Sequence, residues 1–422
     1  MKRRALESPQ ARAKREFGRR TRAVVAFGCL AWAACGGAKA VGPAPAPTTT
    51  LSPVDAPSSI AGPAPSPSAA PVASATPAPA ASNRPASARP PPRPVTIALA
   101  SGRGGDEDAE LVAADQAFER GDLGAAEQHY RAARSLAAKD VAPAVGLARV
   151  RIARVDVPLD FDGAPGNKDV MLAASDLARA TKAAPTFGPA FVELGRARLL
   201  LGDAGLALDA LRKGVELLGD EPEAHSQLGV ALLATGHAAE AARELARAAE
   251  LDPGSAARHG NLGTALMMAG RTKEAVDEYR IRVGMDDADA RAHSDLGTAL
   301  LGTQDLAAAL AELERAVQLE PQRATFRSNL GYAMQQSGRF DRAIVEYREA
   351  LRLDPKLVSA WINLATALAR DPKTRAEARA ALERARALSP GDPRVNANMQ
   401  ELDALEHASP KGAPGPGVAG HP

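Results

Sequence analysis

The chain has 422 residues, with 52 Lys and Arg against 50 Asp and Glu, a formal net charge of +2. Nine basic and two acidic side chains fall in the first 22 residues, leaving 43 basic and 48 acidic groups, about −5, a balance that excludes a basic nucleic-acid binder. Aromatics at 3% argue against base-stacking platforms, and the two cysteines, Cys29 and Cys35, lie too early for a disulfide framework or Cys-based zinc site in the rest.

Residues 1–37 read as an address. A basic head (Lys2 to Arg22) leads into an uncharged apolar run, Ala23 to Ala34, and then Cys35-Gly36-Gly37. A positive head, a short apolar run and small residues at its end describe a secretory signal. The run is too short for a comfortable membrane span. Its end resembles a bacterial lipoprotein signal, in which small Ala33 and Ala34 precede Cys35 and the Cys35 thiol takes a diacylglycerol. Cys29 is a second candidate, and a plain cleaved signal or an uncleaved anchor remains open. An organellar presequence is disfavoured by Glu7 and Glu16.

Residues 38–104 form a Pro/Ala/Ser/Thr-rich linker, and 16 of the 33 prolines lie between positions 41 and 94. Proline fixes φ and removes the backbone donor, so this stretch predicts a disordered, polyproline-like stalk rather than helix or sheet. Its reading is a spacer between a membrane and a folded domain.

From residue 105 to 407 the chain repeats itself every 34 residues. Leu-Gly pairs recur at Leu194-Gly195, Leu228-Gly229, Leu262-Gly263, Leu296-Gly297 and Leu330-Gly331, with Leu364-Ala365 in the same register. Alanines follow at Ala207, Ala241, Ala275, Ala309 and Ala343, then large residues at Leu211, Leu245, Tyr279, Leu313 and Tyr347. Pro253, Pro321 and Pro355 close units because proline cannot continue a helix. Gly202, Gly236, Gly270 and Gly338 mark the turn within each pair, with Gln304 in one unit. The small Gly is expected to let the two helices of a unit approach, facing the alanine of the second.

This register resembles the tetratricopeptide repeat. The resemblance implies an all-α, right-handed superhelical solenoid of about eight antiparallel helix pairs behind a disordered Pro/Ala-rich stalk. A first unit spans roughly 107–140, and a second spans 141–187 with an insertion over 155–167. The eighth has one extra residue at 371–374. Pro393 to His407 reads as a solvated capping helix, as a solenoid end requires, and 408–422 as a disordered tail.

The array carries no motif that points to chemistry. His225, His259 and His293 occupy one helix position in successive units, so they lie a repeat apart rather than around a metal, and read as packed first-helix residues. Asp160-Phe161-Asp162-Gly163 looks like the start of a calcium loop but has Met171 where a bidentate Glu is needed. Gly102 to Gly105 lacks the Lys-Ser/Thr of a phosphate loop, and no nucleophile motif is present. The expectation is no enzyme, no metal and no cofactor.

In the family the resemblance points to, first helices line a concave groove. The sixth position of successive units reads Glu193, Gln227, Asn261, Asp295, Asn329 and Asn363, and the ninth Arg196, Val230, Thr264, Thr298, Tyr332 and Thr366. Amide side chains both donate and accept, so such a column can pair with the backbone of an extended peptide. It is similar to the asparagine ladder in the repeat domain of O-linked N-acetylglucosamine transferases. The clamp for a C-terminal carboxylate found in chaperone-binding members is absent: Val192 and Arg196, then Ala257 and Asn261, stand at its positions. The expected role is a membrane-anchored protein-interaction scaffold of the bacterial cell envelope, facing the periplasm or exterior. Its peptide groove is then Gln227, Asn261, Thr264, Asp295, Thr298, Asn329, Tyr332, Asn363 and Thr366. The alternative is an architectural or self-associating component that contacts partners by its convex face, which a large exposed apolar patch there would favour.

Overall fold

A computed structural model describes residues 97–102, 104–155 and 163–408 of the protein. The signal segment with Cys35, most of the linker, residues 156–162 of the insertion and the tail from 409 lie outside the described residues.

Within them 17 α-helices succeed one another without a strand. The first pair is α1 (Asp106–Glu119) and α2 (Leu123–Leu136); the second is α3 (Ala142–Ala153) and α4 (Lys168–Ala183). Then come α5 (Gly188–Leu200) with α6 (Ala204–Leu218), α7 (Pro222–Ala234) with α8 (Ala238–Leu251), and α9 (Ala256–Met268) with α10 (Thr272–Met285). The array continues with α11 (Ala290–Gly302) and α12 (Leu306–Leu319), α13 (Ala324–Gln336) and α14 (Phe340–Leu353), and α15 (Val358–Leu368) and α16 (Arg375–Leu388). A single α17 (Pro393–Ala408) closes it. Each helix packs on the next, giving a solenoid of eight helix pairs with a cap. The extra residue of unit eight is absorbed by a 3₁₀ turn, Pro372–Thr374.

The turn inside each pair is one device repeated. In unit three Gly202 has φ 80°, and the N–H of Asp203 reaches back to the Arg198 carbonyl at 2.9 Å, satisfying a carbonyl the helix end would leave orphaned. Gln304 makes the same turn at φ 65°, and Asp305 N–H bonds the Leu300 carbonyl at 3.1 Å, so the turn survives without glycine. The following helix is then capped by Asp305, whose carboxylate accepts from Ala308 N–H.

The Leu-Gly register also has a physical cause, the close approach of the two helices of a unit. A Cβ on Gly195 would lie 2.3 Å from Leu211 Cγ, and one on Gly229 would lie 2.4 Å from Leu245 Cγ. The glycine therefore makes room chiefly for the large residue sixteen positions on, and it also faces the alanine: a Cβ on Gly297 would lie 3.1 Å from the Ala309 carbonyl oxygen and one on Gly331 3.3 Å from that of Ala343. Ala207 and Ala241 are themselves fully buried one turn earlier on the same second helix. First helices are packed on several sides: α5 buries Val192, Leu194, Ala197, Leu199 and Leu200. Second helices bury one stripe, as Ala241, Leu245 and Ala248 do in α8, and leave an outer face exposed. The cap follows the second pattern, with Val395 and Leu402 buried and its opposite face solvated.

The chain also packs earlier than the linker reading anticipates. Ile97 and Leu99 are buried while Ala98 is exposed, the alternation of an extended strap lying on the array.

Candidate peptide-binding groove

Neighbouring first helices touch each other along most of the array, whereas second helices make their substantial contacts only with first helices and the cap. The first helices are therefore the closely spaced row, and their sixth and ninth positions form columns along it.

The predicted groove residues fall into three groups. Asn261 and Asn363 are half-buried and form no side-chain hydrogen bond within the described residues. Others are used locally. Gln227 Nε2 donates to Glu223 at 2.7 Å. Thr298 donates to the Ser294 carbonyl at 2.8 Å, and Thr264 to the Gly260 carbonyl at 3.0 Å while meeting the Tyr279 hydroxyl at 3.1 Å. Thr366 bonds both the Ile362 carbonyl and Asn398, and Tyr332 has Gln336 as a neighbour that favours its ionised form against the upward push of burial. Asn329 is buried; its Nδ2 donates to Ser294 Oγ at 3.1 Å, but its Oδ1 has no partner.

Asp295 stands apart from the amide column. Arg282 holds it at 2.8 Å and holds Asp289 at 2.8 Å with its other nitrogen. Burial pushes the Asp295 carboxyl up, and the neighbouring arginines only partly offset that. Its geometry locks one first helix to the preceding second helix.

The column ends beside a cavity of about 250 Å³ between the last units and the cap, lined by Gln335, Thr366, Asn398 and Leu402 among others. The Arg370 guanidinium sits over the Phe340 ring at its edge, 3.9 Å from the centroid. This cavity has no signature in the sequence, because it needs the cap helix in place.

At the other end the column is closed. Arg149 is wholly buried, with Nε on Glu193 at 2.7 Å, Nη1 on Asp115 at 3.2 Å and Nη2 on the Ile97 carbonyl at 2.8 Å. Burial opposes its charge, but Glu193, Tyr130 and Asp115 more than compensate and raise its pKa. Burial likewise acts to raise the Glu193 carboxyl, yet Arg149 and Arg196 hold it below its ordinary range. Tyr130 donates to Asp115 at 2.5 Å. The repeat register places Arg149 and Asp115 at the ninth position: Asp115 precedes the turn glycine Gly121 by six residues, as Arg196 precedes Gly202.

The three spaced histidines each join the two helices of a unit. His259 Nδ1 meets Glu278 at 2.7 Å and Nε2 meets the Pro253 carbonyl at 3.1 Å. His225 and His293 do the same with Glu244 and Gly219, and with Glu312 and Asp287. Arg327 takes this place in unit seven, on the Pro321 carbonyl and Glu346, and Trp361 keeps the carbonyl bond to Pro355. The glutamate nineteen residues on, repeating with the histidine, was the available sequence signal. Among the described residues no cluster of three or more His, Cys, Asp or Glu is placed to hold a metal, and no helix is long and apolar enough to cross a membrane.

An all-helical array of paired helices with a repeated Gly-in-turn and Leu-Gly contact defines an interaction scaffold. The family model described as tetratricopeptide repeat matches residues 226–290, 294–357 and 329–393, so units four to eight are repeats of that kind. No curated protein sequence matches it. Among solved structures, MamA from Desulfovibrio magneticus RS-1 is similar at 22% identity, covering 40% of this chain and 96% of that one, with a TM-score of 0.38. The Cut9–Hcn1 hetero-tetramer of APC/C matches at 17% identity over 72% of this chain and 57% of that one, TM-score 0.49. YrrB, described as a TPR protein with an unusual peptide-binding site, matches at 21% over 46% of this chain and 99% of that one, TM-score 0.35.

Proposed function

We propose that this protein is a membrane-tethered interaction scaffold of the bacterial cell envelope that binds an extended segment of a partner protein along the first helices of units four to eight. The observation that carries the reading is the spaced column of amides, in which Asn261 and Asn363 keep all their hydrogen-bonding groups free and Asn329 keeps an acceptor. An extended backbone offers alternating donors and acceptors that such side chains satisfy. The tether rests on the sequence around Cys35 and on the proline-rich spacer behind it. The reading includes no enzymatic step.

The apolar side chains on the outer faces, Leu136, Met171, Leu172, Leu206, Ile281, Met285 and Val345, are distributed over five second helices. That distribution gives the convex-face alternative less support than the column gives the groove.

The test pairs the full chain with an Asn261→Ala/Asn363→Ala form in affinity capture from envelope extracts. Asn329 is left intact because its bond to Ser294 is structural. A partner held by the parent and lost by the variant supports groove binding. Equal retention, at equal helicity by circular dichroism, refutes it and moves the contact to the outer face. For the tether, Cys35→Ser is expected to release the protein from the membrane fraction, and full retention there refutes lipid attachment.

A further inference from the structure

An extended stretch of the chain itself lies against the ninth positions of units one and two. Leu99 N–H donates to Asp115 Oδ2 at 2.7 Å, and the Ile97 carbonyl accepts from Arg149 at 2.8 Å. Both protein side chains sit at the ninth position, which in units four to eight belongs to the groove column. Ile97 and Leu99, two residues apart, turn inward as alternate residues of an extended backbone do. Beyond them the segment bends into the Asp108 carboxylate, which accepts from the N–H groups of Ser101 at 2.7 Å, Gly102 at 3.2 Å and Gly104 at 3.2 Å. Burial pushes that carboxyl up, but the three N–H groups outweigh it and hold it below its usual value.

This is recognition of an extended chain by its backbone, with two apolar side chains giving register. Nothing in it depends on covalent linkage to the array, except that linkage raises the local concentration of the strap.

We propose that residues 97–102 are an internal ligand occupying a peptide site on units one to three, a site that accepts any extended segment with two apolar side chains two residues apart followed by small residues, and that the strap undocks to admit one. The inference stands apart from the partner reading for units four to eight: either site can fail while the other holds.

The probe is a fluorescent peptide of this chain's own residues 95–104, and the protein is the full chain. With the strap docked, apparent affinity falls by the fraction of molecules in which the site is open. The Ile97→Asp/Leu99→Asp full chain, its strap released, is therefore expected to bind the peptide at least about tenfold more tightly than the parent. A peptide carrying the same two substitutions is expected not to bind. A released-strap chain that retains parental helicity and does not bind the peptide overturns the proposal. Hydrogen exchange on the parent gives an answer even if that variant misfolds. The Leu99, Ser101, Gly102 and Gly104 amides are expected to exchange faster than the core amides of α1 and α3, through undocking. Exchange of those amides only together with α1 and α3 makes the strap a permanent part of the fold and overturns the proposal.

Discussion

Arg149→Ala removes the one cation shared by Asp115 and Glu193. Its guanidinium is fully buried, bonds both carboxylates and the Ile97 carbonyl, and lies 5.7 Å from the centre of the Phe118 ring. Truncation takes the buried Asp115 carboxylate's arginine away and leaves Glu193 with Arg196 alone, at 3.5 Å. Breaking a buried pair in this way costs about 3–5 kcal/mol, far more than the net worth of the pair itself. The Arg149→Ala/Glu193→Ala double variant is therefore expected to lose less than the sum of the single variants, because it removes one stranded charge. Repeat arrays unfold by segments, so one melting curve would blend both ends. Hydrogen exchange resolves them: amides of α1 to α5 are expected to lose protection while those of α13 to α16 keep theirs. The same network sets an acid limit. The folded Glu193 carboxyl titrates below its unfolded value, so its contribution is fully present above that value, about 4.3, and is lost as pH falls through the lower folded one. A cost under about 1 kcal/mol for Arg149→Ala, or a loss of protection spread equally to α13–α16, would refute the reasoning.

Two further expectations come from the repeat geometry. His259→Ala deletes both the Glu278 contact and the Pro253 carbonyl contact and is expected to cost about 1–2 kcal/mol in thermal unfolding, whereas His259→Arg is expected to be tolerated, since Arg327 makes the equivalent pair in unit seven. Gly229→Ala drives a Cβ to 2.4 Å from Leu245 and is expected to destabilise by about 1–3 kcal/mol, while Gln304→Gly relieves a φ of 65° and is expected to stabilise by about 1 kcal/mol. Opposite signs in melting temperature for these two variants check the turn and contact roles together.

The repeat itself was legible because each unit reuses the same local physics. A glycine where the turn needs a left-handed residue, a proline where the second helix stops and a Leu-Gly pair at the close contact all recur at 34 residues, and each is a local requirement that a sequence displays directly. The register therefore located eight units, the insertion in the second and the extra residue in the eighth. The groove columns were legible as positions but not as chemistry. Asn261 and Asp295 share a position, yet one is free and the other is bound to Arg282, because an arginine thirteen residues earlier stands within reach only after the helices stack.

What the sequence determined alone is thus what depends on near neighbours in the chain: helix pairs, their turns, their number and the row of first-helix positions. What the tertiary structure decided depends on groups far apart in the chain meeting in a buried place. Arg149 joins Ile97, Asp115 and Glu193 across separations of 52, 34 and 44 residues, none of them a multiple of the repeat except the second. Periodicity could not announce such a meeting. Ile97 and Leu99 follow a proline-rich stretch and read as its end, until burial on the array shows that the linker stops there and an extended strap begins.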